Sequence, residues 1–155
     1  MRILALLGVL AGLAACGGSG LSGGDDGEGT GTEGADIEGS PTMQPGQNCL
    51  SCHSSGEHTF TAAGTVFSHP DDPVTAGVGG VVVLITDAHG TVTQLVTNSA
   101  GNFYTDAPLV FPITAELHRG SSVMRMAQTV PIGGCSTCHN QPPAAGAPGR
   151  NYVAP

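Results

Sequence analysis

Tryptophan and lysine are both absent from this chain of 155 residues, and its only Phe and Tyr are four of the first and two of the second. A core built from large rings is therefore excluded. Burial has to come from Val, Leu, Ile and small residues, which places a domain of this size near the limit of unaided stability. Basic residues number four against twelve acidic ones, and Arg2 lies in the leader. No cluster exists to neutralise phosphates, so nucleic acid is excluded as a partner. Six of the acids (Asp25, Asp26, Glu28, Glu33, Asp36, Glu38) crowd into one short segment, so the remainder is only mildly acidic. No segment carries convincing helical periodicity, and Ile3 to Ala15 is too short an apolar run for a bilayer, which needs about twenty residues. No catalytic centre is read from the side chains themselves, Asp71-Asp72 being a solvated loop pair.

What is present is an unusual use of cysteine. Of five cysteines, Cys16 stands alone and the others form Cys49-Leu50-Ser51-Cys52-His53 and Cys135-Ser136-Thr137-Cys138-His139. Cys-x-x-Cys-His is the signature of covalent c-type haem attachment: two thiols three residues apart bond to one haem edge, and the following His is placed beneath the iron. Two haems c are the expectation, on Cys49 and Cys52 and on Cys135 and Cys138, with His53 and His139 as proximal iron ligands. The rivals are a zinc site built from the cysteine pairs and a pair of disulfides in an oxidising compartment. Zinc gives no reason for a His after both pairs, and a disulfide closing so short a loop stabilises little.

Residues 1–15 read as an export signal: Arg2 forms a short positive region, an apolar run follows, and small residues precede Cys16. The segment Leu13-Ala14-Ala15-Cys16 resembles a bacterial lipoprotein lipobox, which implies cleavage before Cys16 and lipidation of its thiol. The expected location is therefore outside the cytoplasm, periplasmic or cell-surface, tethered to a bacterial membrane by lipid. Residues 16–48 have almost nothing to bury and are expected to be a flexible, disordered tether.

From residue 59 to 130 short β-forming runs alternate with turns. Thr59–Phe67, Gly80–Thr86, Thr91–Thr97, Asn102–Thr105, Phe111–His118 and Ser122–Thr129 are the expected strands, with a hairpin turn at Asp87-Ala88-His89-Gly90 and another around Arg119-Gly120. The pattern predicts an all-β fold, a small Greek-key β-sandwich flanked by a first haem segment (49–58) and a second with its tail (131–155). The residues Gly64-Thr65-Val66, the run Val81 to Gly90, and Thr97-Asn98-Ser99-Ala100-Gly101-Asn102-Phe103 resemble the carboxypeptidase regulatory-like (transthyretin-like) β-sandwich over about residues 60 to 118. That resemblance implies a structural or interaction module without catalytic residues.

A low-spin haem needs a sixth ligand, His or Met. Met126 is the first choice, because Met124 and Met126 share a strand face and lie shortly before Cys135. Their plainer role is core filling. His58, His69 and His118 are the further candidates. His89 reads better as a turn residue, and Met43 is a remote alternative. Taken together, these features predict an electron carrier whose partners are other redox proteins or cytochromes. An adhesion or assembly module that self-associates, with haems as staples, and a small dihaem peroxidase- or reductase-like enzyme are the alternatives. The C-terminal tail, rich in Pro, is expected to run extended over the surface and cover an edge of the second haem.

Overall fold

The computed structural model describes residues 40–155. The expected signal, Cys16 and most of the expected tether lie outside the described residues. Seven strands are formed among them: β1 (Ala62–Phe67), β2 (Val82–Thr86), β3 (Val92–Val96), β4 (Asn102–Thr105), β5 (Thr114–Arg119), β6 (Ser122–Arg125) and β7 (Asn151–Tyr152). They make two sheets, ordered β4-β1-β7 and β3-β2-β5-β6. The all-β expectation holds, and each of the six expected strands has its counterpart.

Alternation explains the layers. In β2 the buried Val83 and Ile85 face inward while Val82, Leu84 and Thr86 are half-exposed. Across the gap Ala62 and Val66 of β1 and Phe103 of β4 meet them, and Ile113 and Val153 close the ends. Strand β1 is buried on both faces, as a central strand covered from both sides must be. Its outer cover comes from two places. Gly46 N–H donates to Thr65 Oγ1 at 2.8 Å. The Arg150 guanidinium lies 4.8 Å from the Phe67 ring centroid.

Residues 40–48, expected to belong to the tether, are instead packed on the first sheet. Asn102 Nδ2–H donates to Met43 O at 3.0 Å and Asn98 Nδ2–H to Pro41 O at 2.5 Å. Their backbone meets polar side chains of the sheet, which composition does not reveal.

The turns follow their chemistry. Asp87 ends β2, and its Oδ1 accepts from His89 N–H at 2.9 Å and Thr91 N–H at 2.8 Å, while Gly90 takes the left-handed φ of +82° that closes the turn. Burial alone would raise the Asp87 carboxyl, but bonds from the N–H groups of Thr91, Val110 and His89 outweigh it and hold the carboxyl below its ordinary value. Strands β5 and β6 are shorter than expected at their outer ends. Pro112 has no N–H for a ladder, and beyond Arg125 the pairing continues only as Met126 N–H to Ala115 O at 3.0 Å and an isolated Ile113–Val130 bridge with bonds of 2.9 and 2.8 Å.

The tail differs most from expectation. After the second motif it returns to the sandwich, pairs Asn151 and Tyr152 in parallel with Val66 and Phe67, and buries Val153 completely. A two-residue strand has too little pattern to be read from sequence.

Candidate functional site

The two Cys-x-x-Cys-His motifs fold into the same turn. Each is a single 3-10 turn, Cys49–Ser51 and Cys135–Thr137. The preceding residue is nearly identical in backbone: Asn48 at φ −77°, ψ 97° and Gly134 at φ −79°, ψ 87°. Cys49 O accepts from Cys52 N–H at 3.2 Å and His53 N–H at 2.9 Å, and Cys135 O accepts from Cys138 N–H at 3.3 Å and His139 N–H at 3.0 Å. The winding gives the two motifs the same backbone course from the first Cys to the His. Two segments that share only Cys, Ser, Cys and His, with the serines at different positions, have thus reached one geometry.

The histidines are locked alike. His53 Nδ1 lies 2.9 Å from His58 O, and His139 Nδ1 lies 3.0 Å from Gly149 O. A carbonyl can only accept, so Nδ1 carries the proton in both rings and the neutral imidazole presents its lone pair on Nε2. A hydrogen bond from the ring nitrogen that does not bind the metal is how proteins orient a metal-binding imidazole.

The motifs are neighbours. Residues Gly133 and Gly134 run beside β1, with Ala63 N–H donating to Gly133 O at 3.0 Å. A Cβ on Gly134 would lie 2.8 Å from Asn48 Oδ1 and 3.5 Å from Leu50 Cδ1, so the second turn rests against the first. The thiols sense each other. Burial pushes the Cys135 thiol up to about 12, with Cys49 the next cause and Cys138 a smaller one. Burial also raises Cys49. Cys49, Cys135 and Cys138 are free thiols.

Their surroundings differ. Around the second motif a cleft of about 350 Å³ opens between the sheets. It is lined by Cys135, Cys138 and His139 of the motif, by Leu117, Met124 and Met126 of β5, β6 and the residue after it, and by Ala145 to Pro148 of the tail. Met126 also lines a small apolar recess of about 30 Å³ shared with Cys135 and Cys138, which Met124 does not. The first motif has other neighbours. Its Cys52 is exposed, and the His53 ring stacks on Phe60, which stacks on Tyr104, on the side of β4 opposite Phe103.

The remaining candidates are scattered. His58 is exposed and contributes its carbonyl to His53. His69 is exposed in a loop, its N–H bonded to Asp72 Oδ2 at 2.9 Å. His118 points away from the cleft, on the face of β5 opposite Leu117, with Nε2 2.9 Å from Glu116 Oε2. His89 sits in its turn, as read, and Met43 is tied to β4 through its carbonyl. Among the described residues no three His, Cys, Asp or Glu side chains converge as a metal cage. Two buried acceptors, Asn48 Oδ1 and Asn140 Oδ1, have no hydrogen-bond partner, one adjoining each motif.

Sequence reasoning did not find Phe60, Tyr104 or the carbonyl of Gly149. Phe60 and Tyr104 carry only a β-strand signal, and Gly149 lies ten residues from the ring it holds. In comparisons with known proteins, no family model, no curated protein and no solved structure matches the chain. Its function must be argued from its own geometry.

Proposed function

We propose that the protein is a dihaem c-type electron carrier, exported and held to a bacterial membrane through lipid on Cys16. The observation that carries this is the duplicated turn with its duplicated imidazole lock. Thioether attachment calls for two thiols and an imidazole on a short turn, with the imidazole fixed as its Nε2 donor, and the turn and the Nδ1 hydrogen bond that support this reading occur at both motifs. Cys49 and Cys52 would hold one haem and Cys135 and Cys138 the other, with His53 and His139 as proximal ligands. A bound haem supplies one-electron redox chemistry; the chain supplies ligands, burial and orientation.

The cleft supports a specific assignment for the second site. It is mainly apolar, and Met124 and Met126 line it together with His139. Met126, which also lines the recess beside the thiols, is the better distal ligand, and thioether ligation with apolar burial favours a higher reduction potential. His118 turns away from this cleft and His69 lies in a surface loop, so neither is supported as its ligand. Partners would be other exported redox proteins, meeting it through small transient contacts. The resemblance to a carboxypeptidase regulatory-like sandwich belongs to the same proposal, the sandwich acting as the frame between the sites.

The test is covalent haem content. Full-length protein produced in a host that matures c-type cytochromes should gain the mass of two haems and stain for haem after denaturing electrophoresis. Cys135→Ser with Cys138→Ser should leave one haem. Protein that carries zinc or only disulfides, and no covalent haem, would overturn the proposal.

A further inference from the structure

The imidazole of His53 is held by groups that its motif does not contain. Its Nδ1–H donates to His58 O at 2.9 Å, and its face lies on Phe60 with centroids 4.5 Å apart and planes inclined by 27°. Phe60 is backed in turn by Tyr104, at 4.7 Å and 23°. The hydrogen bond selects the tautomer and fixes one point of the ring. It leaves the ring free to swing about that point, and a flat hydrocarbon face stacked against it removes that freedom. His139 has the first restraint, from Gly149 O, but no stacked ring among the described residues. Phe60 has no donor atom of its own, and Tyr104 is 42% exposed on the outward side of β4, so neither is needed to fill the sandwich core.

We propose that Phe60 is a positioning residue of the first site: backed by Tyr104, it sets the plane of the His53 imidazole and so tunes how Nε2 binds the iron of a haem on Cys49 and Cys52. This rests on the haem assignment above. The orientation and basicity of an axial imidazole are among the means by which a protein adjusts a haem. The second motif has the same turn without the stack, so the chain contains its own control.

The experiment uses the full-length protein matured with its haems, in a potentiometric titration read by visible absorption together with electron paramagnetic resonance of the ferric form. Phe60→Leu keeps an apolar side chain but removes the ring; Phe60→Tyr keeps the ring. We expect Phe60→Leu to move the reduction wave and the ferric signal of one haem while the other stays in place, and Phe60→Tyr to restore both. Met126→Ala should move the opposite wave, which identifies the haem that Phe60 serves. Tyr104→Leu, at the exposed end of the stack, should give a smaller shift of the same wave and keeps the test open if Phe60→Leu does not fold. Waves that stay put in Phe60→Leu, or that move together, would overturn the proposal, as would failure of Phe60→Tyr to rescue. Wild-type protein without covalent haem would instead overturn the haem assignment, and the positioning role with it, before any variant is compared.

Discussion

At the scale of single residues, the tautomer of two histidines is the most informative feature. Both Nδ1 atoms face carbonyl oxygens, so nitrogen-15 spectra of haem-free chain at neutral pH should show His53 and His139 protonated on Nδ1. A predominance of the Nε2–H form at either would contradict the geometry. Met126 carries a second prediction: with its sulfur removed, Met126→Ala should lower the reduction potential of one haem and leave the other unchanged. Asp87 carries a third. Its carboxyl is depressed in the folded state, so its contribution to stability is present above its ordinary value of 3.8 and is lost as pH falls from there through the folded value. Asp87→Asn keeps the turn acceptor but removes the titration, and should flatten that part of the acid limb in melting temperature against pH. Some slope must persist, because Glu116 is also held low, by its hydrogen bonds from His118 and Arg125. The Asp87 turn was legible from its Asp-x-x-Gly sequence. The partner of His139 was not, because a carbonyl has no side-chain signature.

At the scale of elements, the second motif depends on how closely its leading glycines approach β1. A Cβ on Gly133 would run into the Thr61 carbonyl, and one on Gly64 would lie 2.9 Å from Cys135 Cβ and from Phe103 Cζ. Gly133→Ala should therefore destabilise the protein by about 1–3 kcal/mol, the usual cost of overpacking a close contact, measured by urea denaturation. No change in midpoint would mean that the turn is not seated on β1. The hairpins β2–β3 and β5–β6 could be read from sequence because each pairs β-forming runs across a short polar turn. Strand β7 could not. Its two residues follow a Pro-rich stretch, and only the parallel pairing with Val66 and Phe67 makes them a strand.

At the scale of the whole molecule, the two motifs lie 86 positions apart in sequence yet their turns touch, the second resting on Asn48 and Leu50 of the first. Groups bonded to Cys49 and Cys135 would be neighbours. In protein carrying both haems, the Soret circular dichroism should then be two-signed, as expected of coupled chromophores, and should collapse to one sign in Cys135→Ser with Cys138→Ser. A single-signed band with two haems present would count against that neighbourhood. The sites are also unequal, one facing outward with Phe60 and Tyr104, the other in the cleft with Met124 and Met126.

The sequence by itself determined the β class, the turn positions and the two Cys-x-x-Cys-His motifs on which the proposed chemistry rests, because these depend on local pattern: alternation, Gly and Asp at turns, and cysteine spacing. Only the tertiary structure decided that the motifs adjoin, that Met124 and Met126 share a cleft with His139 while His118 turns away, and that Phe60 lies on His53. Each of these is a contact between residues distant along the chain or on opposite faces of a sheet. Such contacts are set by how the sheets pack, to which local pattern is blind.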